Sequence, residues 1–383
     1  VKSRRPSFVF LFLGSCANFE PEVGPLQQCT IDGGAAYDAY GYTYGSASGG
    51  VCVAAPAASG NVLIADQFNN RVIELTRAGD IVWSFGDGRS VPGKNSVVSP
   101  NDAERLPNGR TLIAGAGAPP GTEPSCPAKK SAGCPDNRVI IVDDASHTIV
   151  WQYGADEGRS GSGPDELNTP VGAVFVPTPS GGDILIADQG NNRVIEVSQQ
   201  TKEVVWRFPP TGSGEKVTGP NSAERLGNGH TLIADGGGNR VIEVDTQGAI
   251  AWQYPATIDP AVLNGPGFAS RLPDGHTLIA DTNNNRVVEI DAGVPPAVVW
   301  TYSTAAAAGN SSPNPTRAVR LANGDTLIAN QFDDQVIEVT GNGRPYIDYS
   351  YGELGVAGSS PGELNAPYDA KIIGDYTGLT PPM

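Results

Sequence analysis

Long amphipathic stretches are missing from this 383-residue chain. No window spaces its apolar residues as one helix face would, and no apolar run is long enough to span a bilayer. Aromatics are scarce at 7%, while 49 Gly and 32 Pro mark many tight turns, so all-β is the natural class. Basic residues are outnumbered, 25 Lys and Arg against 41 Asp and Glu, and the net charge is −16. That balance argues against DNA, RNA or an anionic membrane surface as the main partner. Histidines number three, and the five cysteines fit no metal-finger spacing. There is no Gly-x-Ser-x-Gly elbow and no phosphate-binding glycine loop.

What is present is a repeat. The stretch ILIADQGNNRVIEV that begins at Ile184 returns from Asn61, His230, His276 and Asp325. A sixth copy is split into RTLIAG (110–115) and DNRVIIV (136–142) by an insertion, residues 116–135. Each copy is a short apolar run, a turn rich in Asn, Asp and Gly, and a second run rich in Val and Ile. Such composition predicts two antiparallel strands, B and C. Before them comes a strand A ending in an Asn-Gly or Asp-Gly hairpin, as in NDAERLPNG (101–109) and NSAERLGNG (221–229). After them comes a strand D carrying Trp83, Trp151, Trp206, Trp252 and Trp300, with Tyr349 in the sixth slot. A second aromatic follows two residues on, a packing role near the rim.

Six units of four antiparallel strands predict a six-bladed β-propeller. The nearly continuous apolar runs imply that both faces of each sheet are buried, and a closed ring is expected to leave no sheet edge. PGELNAPYDAKII (361–373) matches the strand A segment PDELNTPVGAVFV (164–176) and is expected to enter blade 1, in competition with GVCVA (50–54).

GSGPDELNTPVGAVFV followed by DILIADQGNNRVIEV resembles the NHL-repeat pattern over roughly residues 51–373. That resemblance implies a propeller but no single activity, since such propellers include enzymes and pure binding scaffolds. The (Asn)-Asp-Ala-x-Arg-Leu-Pro-Asn-Gly and Val-Val-Trp elements are similar to arylsulfotransferase-like propellers. There the pattern starts with His, whereas this chain has Asn101 and Asn221 in that slot. The beginning of the chain resembles a bacterial lipoprotein signal. Lys2, Arg4 and Arg5 precede the apolar Phe8 to Leu13, and Cys16 would be the lipidated residue. The alternative is that this apolar segment is a strand docked on the domain. The expected organisation is a signal-like segment (1–16), a tether or strap (17–50), the propeller (51–376) and a tail (377–383).

Cys126 and Cys134 bracket a short loop and are expected to form a disulfide, Cys29 and Cys52 a second, leaving Cys16 for lipid. Disulfides imply an oxidising, extracytoplasmic compartment, with membrane attachment only through that lipid. Asp66, Asp188, Asp235 and Asp281 end strand B, with Asn330 and Gly115 in the remaining repeats. They either ring the channel mouth and hold a Ca²⁺ or cap their own turns, and no cofactor is expected beyond that Ca²⁺ option. Arg71, Arg138, Arg193, Arg240 and Arg286, with Glu74, Glu196, Glu243, Glu289 and Glu338, suggest internal ion pairs. Arg105, Arg225, Arg271 and Arg320 lie on strand A, the innermost strand, and could hold an anion in the channel or pair with the strand glutamates. His147, His230 and His276 occupy turns of separate blades. The insertion carries the basic pair Lys129 and Lys130 on the face of the long loops, where rigid scaffolds place function. The expected function is non-enzymatic binding or assembly, through that face, with a protein, a cell-surface partner or a second copy. The alternative is a propeller enzyme, sulfotransferase-like or a Ca²⁺-dependent lyase or hydrolase, with its site in the channel.

Overall fold

The computed structural model describes residues 60–382 except 122–125, 127–132, 180, 260, 306–311 and 342–344, together with four two-residue strands before residue 60. Cys16, Cys29, Cys52, Lys129 and Lys130 lie outside the described residues. Among the described residues no helix is long and apolar enough to cross a membrane.

Six antiparallel sheets of four strands form the expected propeller. Blade 3 shows the plan: Pro170–Val176, Asp183–Asp188, Arg193–Ser198 and Val204–Phe208 run A, B, C, D from the axis outward. Blade 1 takes its strand A from the far end of the chain. Pro367–Ile372 pairs with Val62–Asp66, so the two ends of the repeat array lock into one sheet. Val53–Ala54 pairs with Gln27–Gln28 and does not compete for that position.

Strand B is buried on both faces in every blade, as its unbroken apolar run requires. Strand D departs from the expectation. It is an outer edge with one face in solvent, and Val82, Val205 and Val298 are about half exposed. Ring closure therefore joins the blades but does not abolish their edges; each blade keeps a short outer strand.

Neighbouring blades are joined by one bond repeated around the whole ring. The residue before the motif arginine, or before Gln335 that replaces it in blade 6, sits in the left-handed region, with φ from 51° at Asn192 to 55° at Asp334. Asn tolerates that conformation, and its side chain points to the next blade. There the side-chain oxygens of Asn70, Asn137, Asn192, Asn239 and Asn285 accept the N–H of Ser99, Thr169, Gly219, Gly265 and Asn314, just before strand A. Asp334 closes the circle by accepting Ala366 N–H at 2.9 Å.

A second joint lies toward the opposite face, beside the A–B turns. Arg105, Arg225, Arg271 and Arg320 pair with Glu74, Glu196, Glu243 and Glu289 of the preceding blade. Each guanidinium also lies over the preceding blade's tryptophan, 4.5–5.0 Å from the ring centre. Blade 1 has Ile372 in the arginine slot, and Arg77 from its C–D turn takes over, pairing with Glu338 and stacking on Tyr349 at 4.1 Å. Between blades 2 and 3 both charges are replaced together: Ile141 stands for the glutamate and Phe175 for the arginine, packed with Trp151.

Because the last strand completes blade 1 and brings the Asp334–Ala366 bond with it, ending the chain after Asn365 should expose the edge of Val62–Asp66 and remove that bond. The expected result is loss of the cooperative thermal transition seen by circular dichroism. A truncated protein that melts like the full chain would show that another segment closes the ring.

Candidate functional site

The inner strands place two layers of six side chains around the axis, fixed by register. Asp369, Asp102, Gly172, Ser222, Phe268 and Arg317 pair with the alanine of each strand B. Two residues on, Lys371, Glu104, Val174, Glu224, Ser270 and Val319 pair with the leucine. Alternate residues of a strand point to opposite faces, so the arginines at 105, 225, 271 and 320 turn away from these layers. They do not assemble an anion site in the channel; they are the inter-blade joints described above.

The channel is closed by a charge cluster absent from the sequence expectations. Arg317 reaches Asp102 at 2.8 Å and Asp369 at 2.6 Å, with its guanidinium 4.1 Å from the centre of the Phe268 ring. Lys371 Nζ donates to Asp369 at 2.8 Å, to the carbonyl of Ala103 at 2.8 Å, and to Asp102. The carboxylates also finish the backbone. Strand A has a free edge on the axis, and its N–H groups need acceptors. Asp369 accepts Ala103 N–H, Asp102 accepts Ala173 N–H and Glu104 accepts Phe175 N–H, at 3.0, 3.0 and 2.8 Å.

Burial alone would raise Asp102, but Arg317 and Lys371 outweigh it and hold its carboxyl well below the usual range. In that coupled pair burial raises Asp369. For Glu104 desolvation outweighs the attraction of Lys371 and the bond from Phe175 N–H and pushes it up to about 8, so it is mostly protonated at neutral pH. Burial likewise raises Glu224. Ser222 Oγ, Ser270 Oγ and Arg317 Nη1 are buried here without a partner among the described residues.

On the face of the A–B turns, residues 374–382 seal the opening and touch every blade. Asp375 accepts the N–H of Ala322, Tyr376 donates its hydroxyl to the Arg105 carbonyl, and Gly378 lies against Arg271 and Leu272. Thr380 donates its N–H and hydroxyl to Glu224 at 2.8 and 2.7 Å, and Pro382 shares a groove with Phe175 and Pro177. Ile373 N–H meets the Asn61 carbonyl of blade 1. Behind this seal remains a cavity of about 20 Å³ lined by Glu104, Glu224, Lys371 and Tyr376, which holds little more than a water.

The aspartates that end strand B are each bonded within their own blade. Asp188 Oδ2 accepts from Arg193 Nε and Asn191 at 2.6 and 2.7 Å, and Oδ1 accepts Asn168 N–H at 2.8 Å. Asp66, Asp235 and Asp281 repeat this with Arg71, Arg240 and Arg286. The arginine then ties down the D–A loop, as Arg193 does through the carbonyls of Ser162 and Glu166. Blade 2 lacks the aspartate at Gly115. A Cβ there would collide with Asp136 Oδ2, because Asp136 has moved in to pair with Arg138. In blade 6 Asn330 donates to Asp333.

Asn101 and Asn221, in the histidine slot of the sulfotransferase-like pattern, accept from Gln67 and Gln189 at 3.1 and 2.6 Å. His147 stacks on Trp83 of the preceding blade. Cys126 and Cys134 are bridged with Cα atoms 5.8 Å apart, as expected, and pack on Val98 and Ala118.

An acid whose folded pKa is raised binds its proton more tightly in the native state. Its native state therefore loses stability as pH climbs from the unfolded value, 4.5, toward about 8. Glu104→Gln removes that titration and keeps an oxygen for Phe175 N–H. Relative to wild type it should gain stability between about pH 5 and about pH 8, by on the order of a few kcal/mol. Urea unfolding at both ends of the window checks this; a difference that does not change with pH would contradict a buried neutral Glu104.

No curated protein matches the chain. Among solved structures, a protein of unknown function from Bacteroides caccae shares 13% identity over 76% of this chain and 92% of that one, with a TM-score of 0.49. Virginiamycin B lyase from Staphylococcus aureus shares 12% identity over 76% of this chain and 82% of that one, with a TM-score of 0.47. A streptogramin B lyase shares 15% identity over 65% of this chain and 67% of that one, with a TM-score of 0.43. At such identities the likeness concerns the fold alone. A family model described as outer membrane protein assembly factor BamB matches residues 135–362, more than half of the chain. This family is not the NHL family that the repeat motifs resemble, and it is the one shown: the chain belongs to the PQQ_2 family of outer membrane protein assembly factor BamB.

Proposed function

We propose that this protein is an extracytoplasmic propeller scaffold that binds a protein partner through the face of its B–C and D–A loops. The closure of the axis carries this reading. Buried ion pairs fill the channel, residues 374–382 seal one end, and the residual cavity of about 20 Å³ is too small for an organic substrate. The family points the same way, since its description is that of an assembly factor, and the Cys126–Cys134 bridge suits an oxidising compartment. The Ala-Asp and Asn-Arg-Val elements that resemble NHL repeats act in this reading as cement for the ring and its loops. Binding then falls to what does not repeat, above all the stapled insertion in blade 2.

One observation favours the enzyme reading. Glu104 is a buried carboxylic acid with a pKa of about 8, close to Lys371 and Tyr376 in the same cavity, and such tuning is common among acid–base catalysts. That reading needs the tail to leave before a substrate enters.

Photo-crosslinking residues placed at Pro119 and Gly121, both exposed beside the disulfide, should yield one specific protein adduct in an envelope fraction. The same probes at Asn228 and Asn323, on the opposite turns, should not. Replacing residues 117–134 by the three-residue turn of blade 3 should keep the melting curve and remove the adduct. Adducts that are equal on both faces, or that survive the loop replacement, would overturn the scaffold reading.

A further inference from the structure

Asp274, His276 and Glu289 bring one potential ligand atom each to within 4.8 Å of one another. Asp274 is in the A–B turn of blade 5, His276 follows it, and Glu289 belongs to strand C, Arg286–Ile290. His276 Nδ1 lies 2.7 Å from Glu289 Oε1 and 3.5 Å from Asp274 Oδ2. The turn fixes the aspartate, since its Oδ1 accepts His276 N–H at 2.9 Å. Arg320 holds the other glutamate oxygen, Oε2, at 2.5 Å and leaves Oε1 directed at the imidazole. Outer partners of this kind orient metal-binding carboxylates.

Blade 4 supplies an internal comparison. His230 and Glu243 repeat the 2.7 Å contact, but Asn228 occupies the aspartate position and donates Nδ2 to Glu243 Oε1 at 3.3 Å. Blade 5 thus replaces an amide donor by a third electron-pair donor carrying negative charge. The group also borders an open hollow of about 530 Å³ between blades 5 and 6, shared with Trp300 and Gly341. Trp300 Nε1 is buried there without a partner among the described residues. The equivalent nitrogens of Trp83 and Trp151 donate to the carbonyls of Asp144 and Gln199.

We propose that Asp274, His276 and Glu289 form a binding site for a divalent first-row transition cation of the Zn²⁺ type, open to solvent on one side. One imidazole nitrogen and two carboxylates suit that class. Ca²⁺ takes six to eight oxygen ligands, and this set supplies no thiolate for a softer ion. Binding replaces the Nδ1 proton by the cation while the ring keeps a proton on Nε2. Three protein ligands leave a coordination position for water or for a carboxylate from a partner.

The test uses the full chain, freed of metal with a chelator, its disulfide intact and remaining thiols alkylated, titrated with ZnCl₂ by calorimetry. Wild type should take up one equivalent. Asp274→Asn, which copies the blade 4 arrangement at an exposed position, should weaken binding by about tenfold or more. His276→Asn should abolish it, and His230→Asn should leave it unchanged. Melting curves confirm that each variant is folded. No uptake by wild type, equal affinity in Asp274→Asn, or the same loss in His230→Asn would each overturn the assignment. Crosslinking on the loop face is independent of all three outcomes.

Discussion

The ring rests on a side-chain oxygen held by a backbone that few residues tolerate. In all six blades an Asn or Asp sits at φ near +50° and accepts the N–H that precedes the next inner strand. One such bond contributes about 1 kcal/mol. Its force comes from repetition under closure, since six blades must meet with no accumulated error. The turn geometry sets the direction of the oxygen, and the oxygen sets the approach of the neighbour. A β-branched residue would forfeit both. The Arg–Glu joints allow more variation. Arg77 replaces an arginine that strand A of blade 1 lacks, and Ile141 with Phe175 replaces a whole ion pair. The ion pair needs both members, because a lone buried charge costs far more than an apolar contact.

The axis poses a different problem. Six inner strands turn free edges toward one another, and their N–H groups are out of reach of bulk water. Asp102, Asp369 and Glu104 satisfy three of them directly, and Thr380 accepts a fourth from Arg225. The carboxylates needed for this bring charge into the core. Arg317 and Lys371 offset the two aspartates, whereas Glu104 is left to carry its proton. Buried pairs of this kind give little net stability but penalise wrong registers, since any slip strands a charge. The terminal strand contributes both Asp369 and Lys371, so the segment that closes the ring also completes its core.

Most of the architecture could be read from periodicity. The strands, the blade count, the terminal closure and the Cys126–Cys134 bridge all announce themselves as repeats or as interruptions of repeats. The arginines at 105, 225, 271 and 320 stood between two uses in the sequence, a channel anion or the strand glutamates, and the structure shows the second; recurrence in a ring marks what every joint needs. The channel is lined by residues that differ from blade to blade: Asp102, Gly172, Ser222, Phe268, Arg317, Asp369. Strand alternation separates the two sets by one residue, and a count from the Ala of each strand A would have told them apart. Asp136 could not have been found that way, because it leaves the repeat register and is recognised only by the room it occupies above Gly115.

The two faces of the ring follow from these constraints. On one, short hairpins and residues 374–382 leave little that can change without opening the core, because Thr380 and Tyr376 are bonded to the inner strands themselves. On the other, the D–A loops that lead into blades 1 to 5 are each tied down by an Asp–Arg pair at the base, as Arg193 ties Ser162 and Glu166. A loop anchored at its base can vary at its tip at small cost to the blade beneath. It also loses less conformational freedom on meeting a partner than a free loop would. Blade 2 extends the device: Asp136 holds Val98 N–H while the disulfide packs on Val98 and Ala118. The insertion therefore joins its blade at a fixed footing, with Asp136 and the disulfide both bearing on Val98.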